Sequence, residues 1–181
     1  GCPRACMTLP ATMIAMVTMG HGDLDQMVLH KDWPRPDPAA GEVLIRVGAC
    51  GLNNTDVNTR SGWYSKTVTE ATTGGAFAEV GDNDPTWGGA PITFPRIQGA
   101  DVCGKIVAVG AGVDPARIGE RVITDGWLRD ASDLGNINKT GYFGSERDGG
   151  FAEYTTTPAR NALAVRSPLS DAELATFSCS Y

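Results

Sequence analysis

Glycine and proline break this chain so often that long helices have little room to form. There are 23 glycines and 11 prolines in 181 residues, and such punctuation favours short strands and loops. Met13 to Met19 and Gln26 to His30 read as strands around the turn Gly20-His21-Gly22-Asp23. Trp33-Pro34-Arg35-Pro36-Asp37-Pro38 excludes regular helix and central strand, because proline has no N–H to donate. Glu42 to Gly48 alternates apolar and polar residues apart from the Leu44-Ile45 pair, and reads as a strand. Asn54 to Ser61 is polar and fits a short helix stopped by Gly62. Val102 to Val109 and Ile118 to Thr124 are strands on either side of Gly112-Val113-Asp114-Pro115. Phe151 to Thr157 and Asn161 to Val165 complete the set. Ser65 to about Pro95, and Asp125 to Gly150, are long polar loops, and loops of that length usually carry function. Ser170-Asp171-Ala172-Glu173 has the capping-box pattern and predicts a helix starting near Ser170. The expected fold is mainly β (α+β), a barrel or sandwich with a few short helices.

Composition removes several functions. The 15 basic and 21 acidic residues leave a net charge of −6 with no Lys/Arg run, so nucleic acid is not an expected partner. The longest apolar stretch, Ala11 to Val17, is too short to span a bilayer, and it reads as a first strand rather than a signal peptide. Five scattered cysteines (Cys2, Cys6, Cys50, Cys103, Cys179) fit a reducing cytoplasm better than a disulfide framework. Cys2 and Cys6 have no second close pair to complete a metal site. Val107-Ala108-Val109-Gly110-Ala111-Gly112 looks like a strand entering a nucleotide loop. It lacks the third glycine and a following helix, so it reads as strand–turn–strand.

Four pieces in fixed order carry a resemblance. They are Ala49-Cys50-Gly51-Leu52-Asn53-Asn54-Thr55-Asp56 continuing through Arg60-Ser61-Gly62-Trp63-Tyr64, then Phe94 to Gly104 followed by Val107-Ala108-Val109-Gly110. Ile118-Gly119-Glu120-Arg121-Val122 and Gly149-Gly150-Phe151-Ala152-Glu153-Tyr154 follow. Together they resemble the medium-chain dehydrogenase/reductase superfamily over residues 11–181. The resemblance implies a GroES-like, partly open β-barrel at 11–169, after a loose lead at 1–10. It also implies that 170–181 begins a helix leading to a Rossmann domain absent from this sequence. Gly51, Gly99 and Gly104 are where backbone is expected to pass close to a ligand or a neighbouring strand.

In the zinc alcohol dehydrogenase branch a cysteine ligand stands where this chain has Asn53, and Gly-His-Glu where it has Gly99-Ala100-Asp101. An amide is a poor replacement for a thiolate, and Ala100 offers no donor. Asp101 and Cys179 are too few for a site, and the four-cysteine structural lobe has no counterpart in 125–150. Cys50, Cys103 and Cys179 are expected to be small buried residues. The chain thus resembles the zinc-free quinone-reductase, zeta-crystallin-like branch. That resemblance implies NADPH or NADH as cofactor, no zinc, a small carbonyl or quinone substrate, and a homodimer when full length.

Without a metal, charge developing on a carbonyl oxygen needs hydrogen-bond donors. Asn53, Thr55 and Tyr64 are the expected catalytic donors; Asn53, Asn54 and Tyr64 are the expected cofactor contacts. Each also fits a plainer role: Asn53 and Asn54 as helix caps, Asp56 as a charge on the helix dipole, Tyr64 and Trp63 as packing residues. A zinc alcohol dehydrogenase relative that has lost its metal, and a non-enzymatic GroES-like binding module, remain as alternatives.

Overall fold

The structure is a computed structural model and describes residues 8–62 and 92–180. Its strands are β1 (Thr12–Thr18), β2 (Met27–Pro34), β3 (Glu42–Gly51), β4 (Asp101–Val109), β5 (Arg121–Thr124), β6 (Trp127–Leu128), β7 (Gly141–Tyr142), β8 (Tyr154–Pro158) and β9 (Ala162–Ala164). The helices are α1 (Asn54–Ser61), α2 (Asp171–Leu174) and α3 (Phe177–Ser180). Five antiparallel strands in the order β8-β3-β4-β5-β9 curl into a half-barrel. The β1–β2 hairpin folds onto it through bridges at Ala15–Ala152 and Thr18–Arg96. This is the mainly β, GroES-like architecture that the sequence leads one to expect.

The Leu44-Ile45 pair breaks strict alternation because β3 is covered on both faces. Val43 and Ile45 pack with Ala100, Val102, Ile106 and Val122. Leu44 packs the other way, with Met13, Ala15, Val17, Ile97 and Tyr154. All three β3 residues are fully buried, and each such side chain contributes about 1.5–3 kcal/mol of transfer free energy. A strand buried on both sides reads as a continuous apolar run rather than an alternating one. Gly104 lies at the centre of the sheet, paired with Val47 on β3 and Val122 on β5. A Cβ there would collide with the Arg46 carbonyl oxygen and sit 2.8 Å from Ile45 Cγ2.

Several boundaries differ from expectation for local reasons. β2 runs on to Pro34, which a strand of a two-stranded ribbon tolerates. β5 begins at Arg121 rather than Ile118, because Asp114 caps a 3-10 turn at Pro115–Arg117 and Gly119 takes φ 93°. The segment 125–150 is not all loop. β6 and β7 pair within it, with Trp127 packed edge-on to Tyr142 at 5.3 Å. Asn161 holds its start, donating from Nδ2 to the carbonyls of Asp125 at 3.1 Å and Trp127 at 2.8 Å. Leu9 packs against the second core cluster, so the described end of the N-terminal lead is anchored.

The Ser170 capping box forms as expected, with Ser170 N–H donating to Glu173 Oε2 at 2.7 Å. The helix then divides into α2 and α3. Arg121 clamps α2 to the sheet through Asp171 at 2.6 Å, and Leu174 and Ala175 bury against Cys103. Cys103 is buried, whereas Cys50 is half-buried and Cys179 is exposed. The expectation that all three are buried is therefore corrected. Cys179 lies on the last described turn, beyond the pair Leu174-Ala175 that packs inward. None of the three is in a disulfide, and no described helix is long and apolar enough to cross a membrane.

Candidate active site

The first turn of α1 fixes one side chain from both ends. Asn53 is the N-cap, with φ −134° and ψ 154°. Its Oδ1 accepts from the Thr55 N–H at 3.2 Å and from the Thr55 hydroxyl at 2.9 Å. Asp56 closes the capping box, accepting the Asn53 N–H at Oδ2 at 3.0 Å. With Oδ1 engaged twice, Nδ2 must turn the other way, and it faces Asp101 Oδ2 at 3.5 Å. An amide NH2 has two hydrogens, and Asp101 takes one of them. The structure thus brings Asn53 and Thr55 together. Thr55 spends its proton on Asn53 and orients it, rather than offering the proton outward. Asn54 is exposed on the first turn. Tyr64 lies outside the described residues, as do Trp63, Cys2, Cys6 and most of the loop from Ser65 to Pro95.

Pieces far apart in sequence form the opposite wall. The N–H groups of Gly149, Gly150 and Phe151 donate to the carbonyls of Ile97, Gly99 and Gln98 at 2.7, 2.7 and 2.9 Å. Gly99 N–H donates to Asp56 Oδ1 at 3.1 Å, tying this wall to α1. Gly99 has φ 96°, and a Cβ there would lie 2.6 Å from Phe151 and 2.7 Å from Cys50 Sγ. Only glycine satisfies both demands without strain. Buried Gln98 adds a second tie, accepting from Thr18 Oγ1 at 2.8 Å and donating to the Asp56 carbonyl at 2.8 Å. Thr124 Oγ1 donates to the Ala100 carbonyl at 2.8 Å and fixes the next residue.

The enclosed groups are acids. Burial pushes the Asp56 carboxyl up to about 6, against the pull of two N–H donors from Asn53 and Gly99. Burial also raises Asp101, against the Asn53 amide. The Cys50 thiol is raised by burial and by the negative charges of Asp56 and Asp101, so it is not a thiolate nucleophile. Burial and the neighbouring Cys179 raise the Tyr142 phenol.

Residues 39–167 match the family described as the alcohol dehydrogenase GroES-like domain. The chain belongs to that family. It is 32% identical over 184 residues to AdhA of Mycobacterium tuberculosis, named as an alcohol dehydrogenase, covering 93% of this chain and 46% of the relative. A solved structure from Sinorhizobium meliloti 1021, also named as an alcohol dehydrogenase, is 47% identical with a TM-score of 0.76, over 96% of this chain and 45% of that one. The RspB structure of Escherichia coli CFT073, complexed with NADH, is 26% identical with a TM-score of 0.63, over 90% of this chain and 41% of that one. The chain spans just under half the length of these relatives.

Within this GroES-like domain, the described residues do not fit a catalytic zinc. None of them form a group of three or more histidines, cysteines, aspartates or glutamates disposed to hold a metal. Asn53 presents an amide hydrogen where a ligand would need a lone pair, and Ala100 has no donor atom. The two histidines are placed elsewhere: His21 lies with Nδ1 3.2 Å from the Arg60 carbonyl oxygen, and His30 packs on Trp33. Residues 63–91 contain no cysteine or histidine. The Gly110-Ala111-Gly112 turn leads through the 3-10 turn into antiparallel β5, so it offers no helix N-terminus to a pyrophosphate.

Asp56 and Asp101 are the site residues that sequence reasoning underrated, along with Tyr142. Asp56 reads as a helix charge and Asp101 as a leftover carboxylate. The one signal toward them is that both sit in the motifs that carry the resemblance.

Proposed function

We propose that this chain is the substrate domain of a longer NAD(P)H-dependent oxidoreductase that reduces a quinone or an α,β-unsaturated carbonyl without catalytic zinc. The observation that carries the reading is the Asn53 amide, turned by Thr55 so that a donor rather than a lone pair faces the Asp101 side of the site. The RspB relative bound to NADH supports a nicotinamide cofactor, which supplies the hydride when bound. Asn53 then steadies the negative charge that builds on the substrate oxygen, and Thr55 holds that amide in register. Asn54, exposed beside it, is a cofactor contact in this reading, and Tyr64 a second donor. A homodimer and a cytoplasmic location belong to the same reading.

The names of the relatives favour a second reading, an alcohol dehydrogenase of the zinc type. Activity of the full-length protein separates the two. NAD(P)H oxidation driven by a naphthoquinone or an enone, unaffected by a chelator, is the expected result. Oxidation of alcohols that stops on chelation, with no activity on quinones or enones, would establish the second reading instead.

A further inference from the structure

Hydrogen bonds rather than packing hold α1 in place. It has eight residues, and only Thr59 and Arg60, in its last turn, are buried. Its one apolar side chain, Val57, is exposed. A helix this short is marginal alone, so its place depends on what its two ends touch. At the C-terminal end Arg60 Nη1 donates to the Gly22 carbonyl at 2.6 Å, and the Gly22 N–H donates back to the Arg60 carbonyl at 3.0 Å. At the N-terminal end Gln98 and Gly99 supply the ties.

These two ties differ in kind. Gln98 is 1% exposed, and both ends of its amide are engaged. Nε2 donates to the Asp56 main-chain carbonyl at 2.8 Å, and Oε1 accepts the Thr18 hydroxyl at 2.8 Å. A carbonyl only accepts, so the NH2 must face Asp56 and the oxygen must face Thr18. The Gly99 N–H ends instead on the Asp56 carboxylate, whose side-chain torsions let the helix shift while that bond persists. Gln98 grips the backbone of α1 itself. From there the path to Asn53 is short. The Asp56 N–H donates to the Asn53 carbonyl at 3.0 Å, and Asp56 Oδ2 accepts the Asn53 N–H at 3.0 Å.

We propose that Gln98 is a positioning residue for Asn53. By fixing the Asp56 main chain it sets how far the first turn of α1 stands from the 97–99 wall, and so where the Asn53 amide is held. The inference rests on the reading of Asn53 as the donor to the substrate oxygen, and adds what keeps that donor in place. A donor that is fixed beforehand needs no reorganisation when the oxygen turns negative, so loosening it lowers turnover more than substrate binding.

Two buried substitutions in the full-length protein separate positioning from plain stability. Gln98→Met keeps the volume and removes the tie to α1. Thr18→Val keeps the shape and removes only the far end of the same chain of bonds. Each leaves one polar atom of the buried Thr18–Gln98 contact without its partner, so both are expected to lower Tm alike. Only Gln98→Met is expected to lower kcat, by about tenfold, with KM within about twofold of wild type. The Asn53 side-chain amide signal in heteronuclear NMR is expected to move in Gln98→Met and to stay in place in Thr18→Val. Added to Asn53→Ala, Gln98→Met should lower kcat no further. Equal kcat losses in the two variants, or full turnover and an unmoved Asn53 signal in Gln98→Met, overturn the proposal. A second measurement needs no variant. In wild type the Gln98 side-chain amide hydrogens are expected to exchange with solvent about tenfold more slowly than those of exposed Asn54, and equal rates overturn the tie. The NMR readouts involve no hydride transfer. If no quinone or enone is reduced while the Asn53 signal still moves in Gln98→Met alone, the donor reading fails and the positioning stands.

Discussion

Alanine at Asn53 in the full-length protein is expected to lower kcat about 10²–10³-fold with KM little changed, the effect of losing one donor aimed at developing charge. The separation of kcat from KM follows from the chemistry: the amide is worth most when the oxygen is negative, not when it is a neutral carbonyl. Asn53 also caps α1, and loss of a cap costs about 1 kcal/mol of stability. Asn53→Ser separates the roles. Serine caps nearly as well as asparagine, so stability returns while its shorter side chain leaves the oxygen unsupported and kcat stays low. Steady-state kinetics with a naphthoquinone, alongside thermal denaturation of each variant, measures both. Recovery of turnover in Asn53→Ser would assign the residue to capping alone.

Alanine at Gly104 is expected to cost about 3 kcal/mol or more, the upper end for overpacking a core. Ordinarily a strand gains from losing a glycine. Here β3 passes so close that the added methyl meets the Arg46 backbone and Ile45 Cγ2 at 2.8 Å. The neighbours cannot give way easily, because Gly104 is paired on both sides and Ile45 is fully buried. For a chain of this size such a loss lowers Tm by roughly 6–12 °C. Thermal denaturation followed by circular dichroism checks it. An unchanged Tm would mean that β3 and β4 do not approach as described.

Much of this architecture is legible locally. α1 begins at an asparagine cap and ends on Gly62, whose φ of 74° a glycine adopts freely. The Ser170–Glu173 capping box is written within four residues and reads without any tertiary partner, whereas the Asn53–Asp56 box shows only in the structure, Asp56 reading as a helix charge. Two of the four motifs form one wall of the site, because 97–99 and 149–151 bond directly to each other. What could not be read arises from contacts across long separations. β6 and β7 are two residues each, too short for any period, and depend on Trp127 meeting Tyr142. The role of Thr55 depends on which atom its hydroxyl faces, and composition is silent on that. Asp56 and Asp101 are 45 positions apart in sequence, and only the approach of the start of β4 to the N-cap of α1 brings them near each other. Cys179 reads as a buried apolar residue but is exposed, with its thiol beside the Tyr142 phenol.

Zinc content of the purified full-length protein, measured by atomic spectroscopy after exposure to excess zinc and desalting, tests the central claim most directly. An amide donor at Asn53 and a methyl at Ala100 cannot replace a thiolate and an imidazole, so no stoichiometric zinc is expected and quinone or enone reduction should not depend on it. One tightly held zinc per chain, released by Asp101→Ala together with loss of activity, would contradict the account.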